Sequence, residues 1–197
     1  MMKGKKKILI DENAIPAIAT LVVALAVLIM LFLPQLSVIL EGKLYEYNWL
    51  NVGFGVQNKD ATGVMQFKPS ALILAYVTTF LGVLGAILTF LTVINVNGKP
   101  IIKSGARIIA TVTAICFAIT AVMAFLSIQI SSINTVGLEG EEATQFIAKF
   151  KDKKTMFPAY SLGLGIFSAI GAVTSIGCVL LATLVKKQKS EVNEATN

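Results

Sequence analysis

Between Lys43 and Leu50, Tyr45, Tyr47 and Trp49 alternate with Glu46, Asn48 and Leu50. Period-two alternation is the signature of a β-strand with two different faces. Side chains with an aromatic body and a polar tip suit two tasks. They settle at headgroup level as an interfacial belt, or they anchor a partner, since Tyr and Trp dominate binding hot spots. Both readings stay open for Tyr45, Tyr47 and Trp49, with Phe54 shortly after them as a fourth candidate contact.

Other chemistry is scarce. The sequence contains no histidine, which excludes Ser-His-Asp triads, Cys-His dyads and histidine metal sites. Cys116 and Cys178 lie inside apolar runs, where cysteine packs as a small hydrophobe, and neither is placed to staple a loop. Glu139, Glu141 and Glu142 read as a solvated helix start. Gly53-Phe54-Gly55 is too short and apolar to cradle a phosphate. No catalytic residue, metal ligand or cofactor site is expected, and the chain reads as a non-enzyme.

A second pattern concerns packing. Ser161, Gly165, Ser168, Ala172 and Ser175 follow a four-three spacing and form one helical stripe. Ala71, Ala75, Thr78, Gly82, Gly85 and Thr89 form another. In lipid, helices associate over small residues that let backbones approach, with hydroxyls adding hydrogen bonds. The stripes therefore predict bundle packing, with a homo-oligomer seam or a narrow polar pore as the sharper reading. Phe117 and Phe125 argue against a wide wet lumen. No Asp, Glu or Lys falls at mid-membrane depth, which disfavours ion-coupled transport.

These residues are carried by four apolar runs, at about 15–40, 70–96, 106–131 and 159–185. The 197 residues are 55% apolar, with mean hydropathy +0.77. Each run is roughly 26 residues, or ~39 Å as a helix, against a hydrocarbon core of ~30 Å. The first run is too long for a secretory signal and leaves through Leu33-Pro34-Gln35-Leu36, so an uncleaved helix is expected.

Short basic segments fix orientation. Lys3, Lys5, Lys6 and Lys7 precede the first run, Lys99, Lys103 and Arg107 flank the short second loop, and Lys186, Lys187 and Lys189 follow the fourth run. The longer first and third loops mix lysines with acids. Both termini are therefore expected in the cytoplasm of a plasma (cytoplasmic) membrane. The net charge of +6 follows from this topology and needs no nucleic acid. One arginine among 17 basic residues points to an AT-rich, bacterial genome.

Loop expectations follow from local chemistry. Pro16 suits a first helical turn. Glu41-Gly42-Lys43 reads as a tight turn between an extended Ser37–Leu40 and the aromatic strand. A third extended piece is expected at 52–57, a polar turn at 58–63 and a fourth strand at 64–67. Asn97 and Gly98 suit a helix C-terminus, with Pro100 blocking continuation. Phe146, Ile147 and Phe150 among Glu and Lys predict a short amphipathic helix.

Leu33-Pro34-Gln35-Leu36-Ser37-Val38, Trp49 with Gly53, Lys103-Ser104-Gly105-Ala106-Arg107-Ile108, and Tyr160-Ser161-Leu162-Gly163 with Gly171 together resemble tetraspan proteins of the claudin and peripheral myelin protein type. The layout is nearer still to uncharacterised bacterial four-helix integral membrane proteins whose first helix exits through Leu-Pro. The resemblance implies lateral assembly.

The expected fold is an all-α membrane protein, a four-transmembrane-helix bundle with a small extracellular antiparallel β-segment. Its expected parts are a basic tail (1–13), helix 1 (14–40), a β-rich outer loop (41–69), helix 2 (70–96), a cytoplasmic loop (97–105), helix 3 (106–131), an outer loop with a short helix (132–158), helix 4 (159–185) and a polar, disordered tail (186–197). The expected partners are the lipid bilayer and a membrane or envelope protein or a second copy of the chain. The expected role is structural or interactive, through the outer loops. The alternative is a small transporter or channel subunit with a site between helices 2 and 4.

Overall fold

The computed structural model describes residues 8–10, 14–40, 42–55, 63–102, 104–135, 137–150, 154–156 and 158–195. The chain is mostly helical, at 70%, with small β-sheets. Among the described residues three helices contain spans long and apolar enough to cross a membrane, Ala71–Thr92, Ala106–Phe125 and Leu162–Leu184. Their large apolar side chains stay exposed along the helix flanks, as at Ile73, Ile108 and Val173, where lipid rather than water is the fitting solvent. The chain is a multi-pass membrane protein.

The first helix is shorter than its apolar run. Helix α1, Ile15–Met30, has 16 residues, or ~24 Å, less than the ~30 Å hydrocarbon layer. After it, Phe32 and Leu33 donate to the carbonyls three residues back, so the last turn tightens. Pro34 then ends the helix, because a proline disfavours helical backbone in the residue before it. The expected helix 1 at 14–40 is thus two elements, α1 and strand β2, Pro34–Leu40.

The described residues form two compact units. Unit 1 draws on residues 1–25, 79–118 and 168–197, and unit 2 on 26–78 and 119–167.

Unit 1 contains a sheet that the sequence did not announce. Strand β1, Ile8–Ile10, lies in the expected basic tail, yet pairs antiparallel with β5, Ile94–Val96. Strand β5 in turn pairs with β6, Lys99–Pro100. Between them Asn97 (φ 53°) and Gly98 (φ 77°) both take positive φ. A two-residue hairpin turn of the primed type requires this at both central positions. Asn97-Gly98 therefore turns a hairpin rather than ending a helix. Helix α3, Pro69–Thr92, has already stopped. Pro100 is tolerated because β6 is an edge strand.

Unit 2 holds two sheets. In the first, β2 lies between β3, Lys43–Asn48, and β8, Lys154–Met156. Gly42 turns the β2–β3 hairpin at φ 82°, as expected of the turn, while Glu41 lies outside the described residues. The second sheet pairs β4, Gly63–Phe67, with β7, Ser131–Thr135. Strand β4 fulfils the expected fourth strand, whereas the expected turn at 58–62 lies outside the described residues. Helix α4, Ala106–Phe125, ends earlier than expected, and a single turn, α5, Ser127–Ile130, leads into β7. The amphipathic helix appears as α6, Gly140–Phe150, with Glu141 and Glu142 in its first turn and Lys149 in its last.

Among the described residues the expected third extended piece at 52–57 is not extended, and residues 56–57 of it lie outside them. Trp49–Phe54 forms a short helix, α2, instead. Asn48 caps it, its side chain accepting the Asn51 N–H at 2.7 Å. Gly55 closes it at φ 61°, donating its N–H to the Asn51 carbonyl. The strand alternation thus stops at Asn48. At the chain's other end, α7, Pro158–Ala195, runs for 38 residues and takes in most of the expected disordered tail.

Candidate interaction surface and helix seams

The four aromatic candidates separate. Tyr47 (0% exposed) and Trp49 (1% exposed) are interior side chains of unit 2. The Trp49 ring meets Phe67 of β4 edge-on, with centroids 4.8 Å apart. Its Nε1 is buried and has no hydrogen-bond partner among the described residues. Phe67 meets Tyr76 of α3 at 6.3 Å. The Tyr76 hydroxyl donates to the Trp49 carbonyl, with that of Leu50 3.3 Å away. The Tyr76 ring also lies so close to Gly53 that no Cβ could be accommodated there. Tyr76 thus fastens α2 to α3 by its hydroxyl and its ring at once.

Tyr45 and Phe54 remain accessible. Tyr45 is half-buried, opposite Val38. Phe54 is 74% exposed and tilts against Tyr76 at 5.7 Å. On the other face of the β2–β3 hairpin, Ile39 and Leu44 stand opposite one another in register and are both exposed, and Glu46 beside them is exposed too. This pair carries no polar tip, so an aromatic search passes over it.

The small-residue stripes meet large side chains. In unit 1 the Phe117 ring of α4 is fully buried. A Cβ at Gly82 of α3 would stand 3.1 Å from that ring, and one at Gly171 of α7 2.9 Å from it. The ring therefore fills the space between the small faces of helices 2 and 4. Gly85 is closed in the same way by Thr113. Both α3–α4 contacts advance along one helix while retreating along the other, so the two are antiparallel neighbours, as the short connection predicts. On the α1–α7 seam, the hydroxyls of Thr20 and Thr174 meet at 2.9 Å, and Gly177 faces Pro16.

Unit 2 repeats the pattern. Phe125 covers Gly165, Met30 covers Gly163, and the hydroxyls of Thr78 and Thr120 meet at 3.3 Å. Ala75 is fully buried. Of the remaining stripe residues, Ala172, Ser168 and Ser175 are buried in unit 1. Ser175 donates to the Gly171 carbonyl at 2.7 Å, satisfying its hydroxyl within its own helix. Ser161 lies on α7, but its side chain is outside the described residues. Sequence reading named Phe117 as bulk but missed Phe67 and Tyr76, which hold α2 in place. Glycine spacing shows that something must fit, but not which ring supplies it.

Glu141 sits in the first turn of α6 and accepts from Gln145 one turn on, at 3.4 Å. Acids there complement the helix dipole. Among the described residues no group of three His, Cys, Asp or Glu is placed to hold a metal ion. Among the described residues neither Cys116 nor Cys178 is in a disulfide. No protein-family model matches the chain, and no curated protein or solved structure matches it either.

Proposed function

We propose that the chain is a non-enzymatic subunit of a bacterial plasma membrane, with four crossing helices and cytoplasmic termini, acting through its outer loops as a structural or interaction element. The observation that carries this reading is the exposed Ile39–Leu44 pair on the β2–β3 hairpin, with the exposed Glu46 on the same face. An apolar centre with a charged rim is the usual anatomy of a protein contact. The claudin-type resemblance adds an expectation of lateral assembly. For α1 to cross, flanking residues must extend its apolar length or the bilayer must thin locally. The test is purification in mild detergent with mass spectrometry of co-eluting proteins, comparing wild type with Leu44→Glu. A partner recovered with wild type and lost with the variant, at equal folded yield, supports the reading. Equal recovery from both removes the hairpin from the contact.

The second reading is a small transporter or channel subunit with its site between helices 2 and 4. It draws on the hydroxyls of Thr89 and Ser168, which are buried in unit 1 without a partner among the described residues. A polar path could use them, but Phe117 lies between the neighbouring glycines. Reconstitution of the detergent-purified protein into vesicles separates the two. Solute movement that increases in Phe117→Ala would favour transport.

A further inference from the structure

We infer that α2 is an interfacial anchor whose exposed Phe54 inserts into the acyl region of the bilayer at the end where α3 begins its crossing.

The argument is one of depth. The apolar span of α3 starts at Ala71 and has 22 residues, or ~33 Å, so nearly all of it is needed to cross ~30 Å of hydrocarbon. Tyr76 lies five residues into that span, about 7.5 Å from its end. It belongs in the shallow part of the apolar layer. Tyr76 also holds α2, through its hydrogen bond to the Trp49 carbonyl and the flush contact of its ring with Gly53. Phe54 rests against the same ring at 5.7 Å. A loop helix fastened at that height cannot stand clear of the membrane.

The exposed side chains agree. Phe54 is 74% exposed and Phe32 is 65% exposed. The Phe32 carbonyl accepts from the Asn48 side chain at 3.5 Å, and Asn48 is the N-cap of α2. The end of α1 is thus tied to the cap of α2. The Phe54 ring has no polar tip and rests on Tyr76, whose neighbours along α3, Ile73 and Val77, are exposed apolar side chains. Lipid is the occupant that this depth selects. The nearest charge toward the start of α3 is Lys68, whose ammonium donates to the Gln129 carbonyl at 2.7 Å. Lys68 directly precedes α3, on the polar side of the Ala71–Thr92 span.

The inference rests on α3 crossing the bilayer, and the test separates the two claims. A single tryptophan is placed by Phe54→Trp in a Trp49→Phe background, and the protein is reconstituted into phosphatidylcholine vesicles. The expected result is loss of emission with lipid brominated near the glycerol end of its acyl chains, and little loss with aqueous iodide. Phe80→Trp, deeper in the same span, serves as the control and should lose most emission with lipid brominated near the methyl end. Iodide quenching at position 54 with bromolipid quenching at position 80 overturns the anchor alone. Iodide quenching at both positions overturns the crossing as well. If Trp49→Phe lowers folded yield, the same measurement is made on Phe54→Trp as a difference from wild type.

Discussion

The hydroxyl of Tyr76 donates to the backbone carbonyl of Trp49, joining two residues on either side of the first long loop. The Trp49 carbonyl is the first of α2, a helix of only six residues, and the bond ties that end of it to α3. A helix so short is not stable by propensity. Its cap at Asn48 and its attachment to Tyr76 must hold it.

Tyr76→Phe keeps the ring against Gly53 and Phe67 but removes the donor. Losing one such hydrogen bond costs about 0.5–1.5 kcal/mol. Gly53→Ala should cost more, since the new Cβ meets the ring itself. Thermal unfolding in detergent, followed for both single variants and the pair, checks this. If the two losses add without interaction, Tyr76 and Gly53 are not one unit.

The glycine seams predict an order. Phe117 is enclosed between Gly82 and Gly171, whereas Phe125 at Gly165 is 42% exposed and can swing toward lipid. Overpacking a well-fitted site costs about 1–3 kcal/mol, occasionally more. Gly171→Leu and Gly82→Leu should therefore lower the unfolding temperature more than Gly165→Leu. Leu180→Ile, at a side chain 60% exposed, should change it least. An equal response at all four positions would place the small faces toward lipid.

For Trp49, burial predicts a stability effect rather than a binding effect. Trp49→Ala should cost about 3–5 kcal/mol and reduce folded yield. Trp49→Phe keeps a ring for Phe67 to meet and gives up an Nε1 without a described partner, so it should lose far less. Size-exclusion yield of the two variants is the measurement. Equal losses would mean that Nε1 is hydrogen-bonded to a residue outside those described.

Topology has its own check. In intact cells, single cysteines replacing Lys59 or Lys151 should react with a membrane-impermeant thiol reagent, and those replacing Lys99 or Lys189 should not, because short basic segments are retained in the cytoplasm. Labelling at 99 without labelling at 59 would invert the orientation.

What could be read from the sequence was local. Three long apolar runs gave spanning helices because hydropathy needs no knowledge of neighbours, and α6 was legible from its acids and its aromatic face. The strand through Tyr45 and Tyr47 was legible too. Trp49 was not, because alternation by two continues past Asn48 on paper while the Asn48 and Gly55 caps redirect the backbone into a helix. Strand β1 was hidden for a different reason. Three apolar residues next to a lysine-rich tail carry no signal until Ile94–Val96 is beside them. Phe117 shows the same limit, since its role is set by Gly82 and Gly171, both distant in sequence.

The pairing of β4 with β7 and of β2 with β8 sets a timetable for biogenesis. As the chain leaves the ribosome, β4 emerges before α3 and α4, and its partner β7 follows only after both. Strand β2 finds β3 at once but must wait for β8, which appears just before the last helix. Until then the nascent protein carries unpaired backbone edges at the membrane surface. Quality-control proteases and chaperones have their opening during that interval, and a stall after β7 would lengthen the exposure of β2 while leaving β4 already closed.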